Sequence, residues 1–158
     1  MDLQRFWEWF YSSPAIDVLR NAKYAIPLIQ SFHLFGLTLV LGTVVIFNAR
    51  LLGIGMGKIT PPVIANQLWR ITLIGLLLSI TTGILVFIPD PARYASNTAF
   101  KTKLVILIAS ILFHFTFFRK AIRSTTPTPR GRAAAVAAVS LTLWFGVGWA
   151  GRAIAFLG

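Results

Sequence analysis

The chain has 158 residues, enough for one domain and not for two. It is 56% hydrophobic and only 12% charged, with a mean hydropathy of +0.76, where soluble domains carry about 25% charged residues. That deficit excludes an ordinary soluble enzyme. The net charge of +11 does not indicate nucleic acid, because the basic residues lie between long apolar runs and form no single basic face. Cysteine is absent, which removes disulfides, thiolate metal sites and a catalytic thiol.

In chain order, the first twenty residues are aromatic and amphipathic, unlike a signal peptide. Residues 3–11 read as a short interfacial helix, with Phe6, Trp7, Trp9, Phe10 and Tyr11 suited to the headgroup boundary. Residues 1–23 form this N-terminal segment, and residues 24–158 the transmembrane domain. Crossing a bilayer core takes roughly 20 apolar residues as a helix. Residues 24–49, 71–89, 104–118 and 133–151 supply four such runs. The third is short, and Lys101, Lys103, Arg119 and Lys120 flank it, where they are expected to snorkel outward. Gly53, Gly55 and Gly57 with Pro61 and Pro62 break the chain after the first run, Pro89 and Pro91 after the second, and Pro127 and Pro129 after the third. The expected fold is all-α: a four-helix transmembrane bundle.

Four spans put both termini on one face of the membrane, side A. All four acids, Asp2, Glu8, Asp17 and Asp90, fall there with seven basic residues; the other face, side B, carries eight basic residues and no acid. The count alone is nearly even, but the loop after the third helix is densely basic. Side B is therefore expected in the cytoplasm of a bacterial inner membrane and both termini in the periplasm. Within the second helix Gly75, Ser79 and Gly83 form a small-residue stripe for close helix approach; the fourth, rich in Ala and Gly, carries Ser140, Gly148 and Arg152 on one face.

Polar groups at membrane depth are the candidates for function. His33 lies in the side A half of the first helix, with Gln30 sharing its face and Gly36 one turn on. The glycine leaves room for a flat cofactor or a close helix. His114 lies in the side B half of the third helix, with Ser110 one turn away and Lys103 on nearly the same face. Two intramembrane histidines suggest haem b ligation. Their heights differ by on the order of 10 Å, however, which disfavours one iron held by both. Arg152, at the side A end of the fourth helix, suits a headgroup, a quinone oxygen or a haem propionate; Lys103 and Asp90 are its expected neighbours. Copper has little support from donor chemistry, since Cu(I) prefers sulfur and only Met1 and Met56 supply it. No hydrolase, phosphate-loop or metalloprotease motif is present.

The chain resembles the membrane domain of the copper-resistance D type and related small bacterial four-helix proteins. The resemblance runs through Ser31-Phe32-His33-Leu34-Phe35-Gly36 with Gly42, then Thr81-Thr82-Gly83. It continues through Asn97-Thr98-Ala99-Phe100 with Lys103, and Gly151-Arg152-Ala153-Ile154-Ala155. Each motif is loose, and their order carries the match over most of residues 24–157. The resemblance implies an inner-membrane four-helix unit handling copper or, by wider similarity, electrons. Three readings stand open. The first is a haem-binding or electron-transfer subunit using His33, with Gln30, His114, Arg152 and Lys103 around the cofactor. The second is a copper-handling protein with His33 and His114 as ligands. The third is a cofactor-free anchor for a partner membrane or periplasmic subunit, or a homo-oligomer, in the lipid bilayer.

Overall fold

The computed structural model describes residues 14–55, 59, 61–123 and 129–157. The interfacial helix expected at residues 3–11 lies outside them, as do Met1 and Met56. The described elements are all helical: α1 (Pro14–Asn21), α2 (Ala25–Leu51), α3 (Pro61–Phe87), α4 (Pro91–Ser96), α5 (Thr98–Phe113), α6 (Arg119–Arg123) and α7 (Arg130–Leu157). A π-helical turn, His114–Phe118, joins α5 to α6. Four segments are long and apolar enough to cross a membrane: Ala25–Leu51, Val63–Phe87, Thr98–Phe117 and Arg130–Ile154. The chain is a multi-pass transmembrane helix bundle, as composition and periodicity require.

The helices run further than the apolar runs do. The second span starts near Val63 and not at residue 71, and the third starts at Thr98 and not at residue 104. Backbone hydrogen bonds are most needed where water is scarce, so helix continues through interfacial polar residues whose side chains reach outward. Local signals fix the ends. Asp90 caps α4 by accepting from the Arg93 amide at 3.3 Å, with Pro91 in the first turn. Asn97 caps α5, accepting from the Phe100 amide at 3.2 Å, and its amide group reaches the Ile154 carbonyl at 3.4 Å, tying the start of α5 to the end of α7. Gly53 and Gly55, at φ 77° and 68°, terminate α2 in a left-handed backbone.

The bundle is built of two tight helix pairs, α2 with α3 and α5 with α7, joined chiefly along α2 and α7. Gly36 and Gly75 meet in the α2–α3 seam. A Cβ on Gly75 would lie 2.9 Å from the Gly36 carbonyl, and one on Gly36 would lie 2.9 Å from the Gly75 carbonyl. The stripe Gly75, Ser79, Gly83 is thus the α2-facing edge of α3, and Gly36 serves close helix approach, with no space for a flat cofactor. Deeper in the bundle, Val40, Val44 and Trp144 form the core with Leu76, Leu107 and Ile111, so that all four spanning helices contribute to one apolar layer. Toward side B, Phe47 and Ile64 pack with Leu68, Phe113 and Val136. Buried polar side chains stitch the seams. Thr72 donates to Thr43 at 2.9 Å between α3 and α2, and Asn48 donates to Ser140 at 3.3 Å between α2 and α7.

Candidate functional site

The four spanning helices converge on one polar point in the side A half. His33 comes from α2, Ser79, Thr82 and Gly83 from α3, Lys103 from α5 and Gly151 from α7. His33 Nδ1 lies 2.8 Å from the Ser79 carbonyl and 3.2 Å from Thr82 Oγ1. A carbonyl only accepts, so Nδ1 carries the proton. That leaves Nε2 as an acceptor, and Lys103 Nζ donates to it at 3.2 Å. The imidazole is therefore neutral and the ammonium carries the charge of the pair.

Glycines make this possible. A Cβ on Gly83 would come within 3.3 Å of His33 Cε1, and one on Gly151 within 3.3 Å of Lys103 Nζ. The imidazole thus lies close against bare α3 backbone and the lysine against bare α7 backbone. One turn toward side A, Phe87, Tyr94 and Phe100 cluster above the pair, with Phe87 and Phe100 stacked at 5.4 Å. The backbones of α3 and α5 do not pack closely on each other here, so Lys103 bridges the gap between the two helix pairs. His33 and Lys103 are each part-buried and part-exposed.

The candidates named from sequence separate cleanly. His33 and Lys103 come together. Lys103 turns inward to His33, where an outward-snorkelling side chain was expected. Gln30 is exposed and does not orient the imidazole; the Ser79 carbonyl and Thr82 do. Arg152 is exposed, its guanidinium 5.5 Å from the Phe156 ring centroid, and makes no hydrogen bond to Lys103 or Asp90. His114 is buried at 3% exposure, with the core side chains Phe47 and Trp144 on it and the more exposed Phe115 beside it. Phe47 lies fourteen residues beyond His33 on α2, about 20 Å along the helix. The two histidines thus occupy separate layers, with the Val40–Trp144 core between them.

The same geometry tests the haem and copper readings. Both ring nitrogens of His33 are engaged by the protein, and ligation of a metal at Nε2 requires Lys103 to leave. Among the described residues no group of three or more histidines and carboxylates gathers as a metal site. The two histidines lie too far apart along the bundle to hold one haem iron between them. Ser79, Thr82 and Gly151 were missed as site residues. Ser79 stood in the stripe of small residues, which reads equally well as simple packing, and Thr82 and Gly151 stood in the motifs that carry the resemblance.

Residues 6–157 match a protein family described as a family of unknown function, DUF6644. The chain belongs to this family. The match takes in all four spans, so the His33–Lys103 site lies within the part of the chain shared with DUF6644. No curated protein and no solved structure matches the chain.

Proposed function

We propose that this DUF6644 protein is a membrane electron-transfer subunit whose His33–Lys103 pair binds the oxygen-bearing head of a lipophilic carrier of the quinone class. One observation carries the reading. Lys103 presents an ammonium at membrane depth whose single hydrogen-bond partner in the described structure is a neutral imidazole. An ammonium has three donors, and unmet donors or charge in such surroundings cost several kcal/mol. A carbonyl or phenolate oxygen satisfies them. The neighbouring Phe87, Tyr94 and Phe100 supply aromatic surface for a flat ring. Apolar walls with a few convergent polar groups are the usual form of a small-molecule site.

The test is titration of the detergent-purified protein with a decyl-tailed benzoquinone, beside the Lys103→Met variant. The parent binds, and the variant binds about tenfold more weakly, the equivalent of 1.4 kcal/mol. Equal binding by both, or none by the parent, overturns the reading. The absorption spectrum of the same samples decides against the rival cofactor. A Soret band in the parent that His33→Ala abolishes would replace the quinone with haem.

We assign side B to the cytoplasm of a bacterial inner membrane, on the basic, acid-free character of its loops. Because the chain has no cysteine, single cysteines report topology cleanly. In intact cells Ser96→Cys reacts with an impermeant thiol reagent and Ser124→Cys does not; the opposite pattern reverses the assignment.

A further inference from the structure

At the side B boundary, Arg119 stands two residues past the end of the span at Phe117. Its guanidinium lies over the Trp69 ring, 4.2 Å from the centroid. Trp69 is itself held edge-on by Phe115, with centroids 5.3 Å apart at 77°. The wide π turn His114–Phe118 sets this up. The Arg119 amide bonds back to the His114 carbonyl, five residues earlier, and the extra residue in the turn re-phases the helix. Arg119 Nε is buried with no hydrogen-bond partner, and the side chain is only partly exposed. Lys120 and Arg123, close to it in sequence, and Arg70, next to Trp69, are exposed and add positive charge.

Among the described residues no carboxylate lies at side B to balance that charge. There is no Asp or Glu between Asp17 and Asp90, nor any after Asp90. Asp90 caps α4 at side A, and Asp17 is on α1 at the same side. A guanidinium stacked on an aromatic face keeps its planar fork rigid, and a planar fork matches the oxygens of a phosphate. The height is right too, since a residue just past the end of a span sits level with the headgroups.

We propose that Arg119, stacked on Trp69, anchors a phosphate site that takes the phosphodiester headgroup of an anionic phospholipid from the side B leaflet. Free inorganic phosphate shares the recognising chemistry, and the membrane supplies the lipid at far higher local concentration. Trp69 is a positioning residue here and Arg119 the ligand-contacting one.

The site is tested by native mass spectrometry of the detergent-purified chain titrated with phosphatidylglycerol and, in parallel, phosphatidylcholine. The parent retains a first phosphatidylglycerol about tenfold more tightly than phosphatidylcholine. Arg119→Gln abolishes that preference, while Arg123→Gln, a nearby charge without the aromatic stack, keeps most of it. Equal loss in the two variants would reduce the effect to general surface charge and overturn the site. Should Arg119→Gln fail to fold, Arg119→Lys decides. It preserves charge and loses the fork, so lipid retention as tight as in the parent overturns the proposal. Displacement of the bound lipid by millimolar inorganic phosphate would assign the site to the free anion and overturn the lipid as its occupant.

Discussion

Gly75→Leu is expected to separate α2 from α3 and to lower the thermal midpoint of the detergent-solubilised protein by the largest margin of any single substitution in this seam. The new side chain meets the Gly36 carbonyl and Leu39 Cβ, the latter 2.8 Å from the Cβ position. Neither is the far end of a flexible group, so the helices must part. Overpacking commonly costs about 1–3 kcal/mol, and a backbone-to-backbone contact belongs at the upper end. Association of helices in lipid relies on such close approach because apolar burial gives little drive there. Gly36→Leu attacks the same contact from the other side, and the double variant costs less than the sum of the two. An unchanged midpoint for Gly75→Leu would mean that the α2–α3 seam is not formed as described.

The second large effect is an asymmetry within the site. His33→Leu leaves the Lys103 ammonium without its one acceptor, whereas Lys103→Met leaves only a neutral ring nitrogen unmet. Stranding a neutral acceptor costs about 1–3 kcal/mol, and stranding a charged donor costs more. The expected order of stability is parent, then Lys103→Met, then His33→Leu. The His33→Leu/Lys103→Met double variant recovers part of the histidine loss, with a coupling of about 0.5–3 kcal/mol in a double-mutant cycle. Thermal melts of the four proteins in one detergent measure it. Additive losses would dissolve the pair as a unit.

The spans were legible because length and apolarity leave few other structures open to such a chain. Their ends were not. Trp69 and Arg70 belong to α3 although hydropathy falls around them, and interfacial polar residues carry helix as readily as apolar ones. The site was half legible. His33 stood out as a polar group in an apolar run and Lys103 as a basic residue at the edge of one, but they are 70 residues apart on helices that are not sequence neighbours. No periodicity within one helix reports a contact between two. Gln30 was the partner that a single helix could suggest; Ser79 and Thr82, from the facing helix, hold that role. One clue to the inward turn of Lys103 did lie in the sequence. Lys103, Ser110 and His114 fall on one face of the third span, and Ser110 and His114 are buried at 1% and 3% exposure.

The division into two helix pairs bears on how the molecule is made. Each pair is nearly consecutive in the chain, so the α2–α3 hairpin is complete in the nascent polypeptide before the α5–α7 hairpin has been synthesised. Contacts inside a hairpin close over short stretches of chain and form early. The hydrogen bond from Lys103 to His33 joins one hairpin to the other. It therefore forms late, when the second hairpin docks on the first, and until then the lysine and the histidine are each inserted without the other. A chain stalled or cut after α3 still holds the α2–α3 hairpin but lacks the Lys103–His33 contact.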